Sequence, residues 1–111
     1  MSSKVYTIDE IKAILKVLFD DAPDIEKVIL FGSYAKNSAD SDSDIDLVID
    51  SNGSLLGFRL FKLITQIEDK FKKNVDAFEK IEIEAGSLVD NEINNTGVVV
   101  YERYKKKLVN L

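Results

Sequence analysis

Apolar residues in the first twenty positions recur at helical spacing, with Ile11, Ile14, Leu15 and Leu18 on one face. Thr7 and Glu10 stand as a capping box, and Tyr6 and Ile11 are spaced as a hydrophobic staple. A helix is therefore predicted from about residue 8 to 20, ended by Ala22 and Pro23. Val28, Ile29, Leu30 and Phe31 then form a short, unbroken apolar run of the kind found in buried strands, which stops at Gly32. Beyond a polar stretch rich in Ser and Asp, the residues from Asp44 to Asp50 alternate. Ile45, Leu47 and Ile49 take one face, and Asp44, Asp46, Val48 and Asp50 the other. This predicts a second strand with an unusually acidic outer face.

The turn Ser51, Asn52, Gly53 leads to a longer helix with Leu60, Ile64, Ile67 and Phe71 on one side, and Gly57 leaves its start open by several residues. Val75 to Phe78 is a short strand candidate. Ser87 with Asp90 caps a third, short helix, Gly97 follows its end, and Val98 to Tyr101 reads as a final strand. Helices interleaved with short apolar strands predict an α+β arrangement, a sheet covered on at least one face by helices. No internal repeat or low-complexity tract breaks the pattern. The expectation is one domain over residues 1–111.

Composition narrows the chemistry. The chain has no cysteine and no histidine, which excludes disulfides, thiolate metal sites, thiol nucleophiles and the commonest general base. Carboxylates, hydroxyls, lysines or metals must do the work. The opening residues lack the apolar run of a secretory signal, and no stretch approaches the roughly 20 apolar residues of a membrane span, so a cytoplasmic location is expected. The net charge of −5 argues against nonspecific binding to nucleic acid, which needs basic surface. Arg103, Lys105, Lys106 and Lys107 nevertheless make the C-terminal end basic, either as a solvated end or as an RNA contact.

Asp44 and Asp46, spaced two apart on a strand, project to the same side with Cα atoms roughly 6.5–7 Å apart. Paired carboxylates there are costly unless a cation lies between them, and a chain without His or Cys suits Mg²⁺ or Mn²⁺ rather than zinc. The same pair can also be read as an exposed acidic loop running into an edge strand. Upstream, Gly32 allows a sharp turn directly after an apolar strand, and Ser33 can donate its hydroxyl where a helix begins. Backbone N–H groups from Gly32 to Tyr34 could then hold phosphate oxygens. A plain strand-to-helix turn is the alternative.

Taken together, LFGSYAKNSADSDSDIDLVID resembles the signature of the minimal nucleotidyltransferases of the DNA polymerase beta-like superfamily, whose pattern is Gly-Ser, a short helix and loop, then Asp-x-Asp. Gly32, Ser33, Asp44 and Asp46 match in type and spacing, and Ala35 fits the usual alanine. Lys36 and Asn37 depart from the common arginine and glycine. Lys36 keeps the positive charge, which places it as a nucleotide-binding candidate, and Asn37 tolerates a left-handed turn. The resemblance implies a palm-like fold, a small mixed sheet of about four strands packed with three to four helices. It also implies a third carboxylate in an apolar setting on a later strand, which Asp76 within Asn74 to Phe78 supplies; a surface aspartate on an edge strand is the competing reading.

By that resemblance, Asp44, Asp46 and Asp76 hold two divalent cations roughly 3.5–4 Å apart, and Asp76 helps deprotonate a hydroxyl that attacks the α-phosphorus of a nucleoside triphosphate, releasing pyrophosphate. Minimal members are often antitoxins paired with HEPN-domain ribonucleases, and some transfer AMP from ATP to a tyrosine of that partner. The resemblance thus implies a HEPN-type protein partner, with a catalytically inactive binding antitoxin or an RNA-modifying enzyme as alternatives. The residues leave the oligomeric state open, a homo-oligomer included.

Overall fold

The structure, a computed structural model, describes residues 3–103. The basic positions Lys105, Lys106 and Lys107 lie outside them. Helix α1 (Ile8–Phe19) starts at the Thr7 capping box: Thr7 Oγ1 accepts from the Glu10 N–H at 3.0 Å, and Glu10 accepts from the Thr7 N–H at 2.9 Å. Tyr6 does not stop at a local staple. Its ring meets Phe71 edge-on at 5.0 Å and its hydroxyl donates to the Phe71 carbonyl at 2.7 Å, which ties the chain entry to a helix far along the sequence.

Strand β1 (Lys27–Phe31) runs into a single helical turn, α2 (Gly32–Ala35), and a loop leads to β2 (Ile45–Asp50). Helix α3 (Phe58–Phe71), strand β3 (Val75–Glu79), a 3-10 turn (Lys80–Glu82), helix α4 (Leu88–Thr96) and strand β4 (Val98–Glu102) complete the order. The four strands form one mixed sheet in the order β3-β2-β1-β4, antiparallel except for the β2–β3 pair. This is the small mixed sheet with four helices that the signature implied.

One face of the sheet makes the core. Val28, Leu30, Ile45, Leu47, Ile49 and Val75 pack beneath Ile11, Leu15 and Phe19 of α1 and Leu60, Leu63, Ile67 and Phe71 of α3. Each such burial contributes about 1.5–3 kcal/mol, which is why short strands without strong local propensity hold together. In α3 the buried row takes Leu63, while Ile64 sits at the flank, because the helix leans so that i, i+3, i+7 and i+11 face the sheet. On the opposite face lie α4, none of whose own residues is fully buried, and the segment from Lys80 to Ala85.

The sequence reading of Arg103 as part of a solvated basic tail is corrected. Its guanidinium donates to the carbonyls of Phe19 and Ala22, both at 2.8 Å, and of Ile25 at 3.1 Å. It therefore satisfies the open end of α1, where a cation is also favoured by the helix dipole. Among the described residues no helix is long and apolar enough to cross a membrane.

Candidate active site

The site is built where β1 ends and β2 begins. At Gly32 the backbone turns with φ +74°, a region that side chains rarely adopt, and the one turn of α2 follows. A methyl group on Gly32 would overlap the Asp46 carboxylate, so glycine is required on two counts. Asn37 takes φ 56°, the left-handed conformation expected of it.

Polar contacts shape the loop from residue 38 to 44. The Ser38 N–H donates to the Ser33 carbonyl at 2.9 Å, and Asp40 closes a turn by accepting from the N–H of Asp42 at 2.9 Å. Lys73, only 3% exposed, donates from Nζ to the Ser41 carbonyl at 3.0 Å and anchors the loop from below. Glu79, 1% exposed, ties the end of β3 to the turn that follows β2. Its carboxylate accepts from the N–H groups of Ser51 (2.9 Å), Ile81 (2.9 Å) and Gly53 (3.2 Å) and, very closely, from the Ser51 hydroxyl. Burial pushes the Glu79 carboxyl up, but these donors outweigh it and hold its pKa below the usual carboxylate value.

Asp46 and Asp76 share the less covered face of the sheet, with the charge of Asp44 acting on Asp46 from the end of the incoming loop. Strand β2 starts at Ile45, one residue later than the alternation predicted, so Asp44 ends the incoming loop and is exposed. Asp46 is half-buried and is paired in register with Phe31 on one side and Asp76 on the other. In a parallel pair, matched residues point to the same face about 4.8 Å apart. Asp76 is therefore the immediate neighbour of Asp46, on a strand at the sheet edge, and is itself exposed.

The electrostatics follow from this crowding. Partial burial, then the charges of Asp76, Asp44 and Glu92, push the Asp46 carboxyl up from 3.8 to about 6, against a smaller opposing pull from Lys36. Lys36, expected to face a nucleotide, pairs with Glu92 of α4 at 3.2 Å. Glu92 is the charged neighbour that the sequence reading missed. Nothing in its local pattern marks it, because only the return of α4 across the sheet brings it near Asp46.

Among the described residues no group of three carboxylates closes into a ready metal cage. The donor set nevertheless suits hard divalent cations: all of it is carboxylate oxygen, and its most buried member is held in a strained ionisation state that a cation would relieve.

Comparison with known proteins bears on the family and the fold. The family described as polymerase beta, nucleotidyltransferase, matches residues 11–106. A relative from Methanocaldococcus jannaschii, provisionally named a protein adenylyltransferase, is 32% identical over 77 residues, which span 67% of this chain and 79% of the relative. Among solved structures, a toxin–antitoxin complex with AMP-PNP aligns with a TM-score of 0.71 at 20% identity, covering 84% of this chain and 73% of the other. An MNT antitoxin bound to a tri-AMPylated HEPN toxin of Shewanella oneidensis aligns with a TM-score of 0.63 at 19% identity, covering 84% and 70%. At these identities the structural likeness speaks for the fold.

Proposed function

The chain belongs to the polymerase beta nucleotidyltransferase family, and on that premise we propose that it transfers AMP from ATP to a tyrosine hydroxyl of a HEPN-type protein partner, acting as an antitoxin. In this reading the backbone N–H groups from Gly32 to Tyr34 and the Ser33 hydroxyl hold the β- and γ-phosphates. Lys36 leaves Glu92 and adds its charge there. Asp44, Asp46 and Asp76 would hold two Mg²⁺ ions, with Mn²⁺ as a substitute, and these ions would supply charge neutralisation of the triphosphate and polarisation of the attacked phosphorus.

The acceptor hydroxyl enters over the exposed edge strand and gives its proton to Asp76. Its oxygen attacks the α-phosphorus in line, the bond from that phosphorus to the bridging oxygen breaks, and pyrophosphate leaves. The observation that carries the reading is the register of β2 and β3. It sets Asp46 beside Asp76, while the β1–β2 register sets the same Asp46 beside Phe31 and Gly32, so the phosphate turn and the paired carboxylates share one patch of sheet. Asp76 on an exposed edge also suits an acceptor presented by another protein. A HEPN partner is supported by the similar fold of antitoxins in complexes with such toxins.

The test is incubation with α-labelled ATP, Mg²⁺ and a purified HEPN partner. Label on the partner that is lost in Asp44→Asn and Asp76→Asn is the expected result. No label, together with full neutralisation of the partner by Asp44→Asn, would replace the enzyme with a protein that acts by binding alone.

A further inference from the structure

On the same face as Asp46, a cleft of about 250 Å³ opens between the sheet and α4. Its floor is the cross-strand pair Ile29 and Val48, its walls Ile83, Ala85 and Lys80, which pairs with Asp50 at 3.8 Å, and its roof Ile93, Asp90 and Asn94 of α4. Val48 follows Asp46 by two residues on β2 and so shares its face, with Cα atoms roughly 6.5–7 Å apart. None of the α4 residues that roof the cleft is fully buried.

We infer that this cleft receives the purine base of the nucleotide, and that Asn94 selects adenine. The inference rests on the nucleotidyl-transfer reading above and deepens it. The volume falls below the roughly 300–1,000 Å³ of pockets that take a whole drug-sized ligand, so it suits one planar ring system, with ribose and phosphates outside. Apolar residues form its floor and one wall, as a flat aromatic ligand requires, and it lies one step along the sheet from the site proposed for the phosphates. The two regions also share a support, because α4 is tied to α2 through Glu92 and Lys36 at 3.2 Å while its other face roofs the cleft.

The polar groups of the roof are not equivalent. Asp90 is committed to the start of α4: its carboxylate accepts from the Gly86 N–H at 2.9 Å, and its own N–H donates to the Ser87 hydroxyl at 3.2 Å. Asn94 lies one helical turn further on and is exposed toward the cleft. A carboxamide offers one donor and one acceptor side by side, which matches the amino group and N7 of adenine. Guanine presents two acceptors along that edge and would set its carbonyl oxygen against the amide oxygen.

The experiment is equilibrium binding of non-hydrolysable ATP and GTP analogues and of inorganic triphosphate, all with Mg²⁺, to the full chain and its variants. The wild type should prefer ATP, and Asn94→Ala should erase about tenfold of that preference, the scale of one bidentate base contact. Ile93→Trp, which fills the cleft, should weaken the ATP analogue while triphosphate binding is unchanged. Three results overturn the inference: a preference intact in Asn94→Ala, a preference lost in Asp90→Asn instead, or equal weakening of triphosphate by Ile93→Trp. If the wild type binds and transfers nucleotide but Asn94→Ala changes nothing, only the base site falls. If the wild type binds none of these ligands, the transfer reading falls with it.

Discussion

Replacing Asp46 with Asn should stabilise the metal-free protein while abolishing transfer. The structure holds this carboxyl at about 6 against an ordinary 3.8, first through burial and then through Asp76, Asp44 and Glu92. The shift of about two units corresponds to about 3 kcal/mol at full strength, from 1.36 kcal/mol per unit. Solvent screening of a half-buried group reduces this to about 1–2 kcal/mol. The sign follows from proton binding. Because the folded-state value is raised, the folded protein holds the proton between pH 3.8 and 6 more tightly than the unfolded chain does. Its stability therefore falls as pH rises through that window, and the whole penalty is present at pH 7.

Asn carries no charge and escapes the penalty. Urea melts in chelator should show Asp46→Asn more stable than wild type by about 1–2 kcal/mol at pH 7.5, or roughly 4–8 °C in melting temperature. At pH 4 the two should nearly coincide. Adding Mg²⁺ should raise the stability of the wild type and do little for the variant, while AMP transfer by the variant drops by orders of magnitude. A variant clearly less stable than wild type at pH 7.5 in chelator would refute this account, since Asp46 would then be contributing attraction rather than repulsion.

Gly32→Ala should cost about 1–2 kcal/mol from the left-handed backbone alone, and by displacing the Asp46 carboxylate it should also abolish nucleotide binding, read by denaturation and by titration with an ATP analogue. Arg103→Ala leaves the carbonyls of Phe19, Ala22 and Ile25 without their donor and should lower stability by about 1–3 kcal/mol, whereas deletion of residues 104–111 should leave transfer to a protein partner largely intact. Glu79→Leu strands the buried N–H of Ser51, removes the acceptor of the part-buried Gly53 and Ile81 N–H groups, and should destabilise by about 1–3 kcal/mol in urea melts. Because the Glu79 carboxyl is held below its ordinary 4.5, its contribution should be present at neutral pH and be lost only as pH falls below that value.

What the sequence determined by itself was local. The Thr7–Glu10 box, the Ser87 cap, the left-handed Asn37 and the Gly32 turn all rest on groups within a few residues of one another, so residue types at fixed spacing were enough to find them. The Gly-Ser and Asp-x-Asp elements belong to the same class, as their order along the chain shows. Tertiary structure decided everything that depends on register and return. It set Asp76 beside Asp46 through a parallel pair that no spacing reveals, brought Glu92 to Lys36 across the sheet, and left a cleft beneath α4. It also turned Arg103 from a tail residue into the cap of α1, and buried Lys73 and Glu79 as the anchors of the loop before β2 and the turn after it. The physical reason is common to all of these. A charged side chain reads as solvated until a distant segment supplies its partners, and such segments are brought together by burial of the shared apolar core, which carries no record of which polar groups will meet.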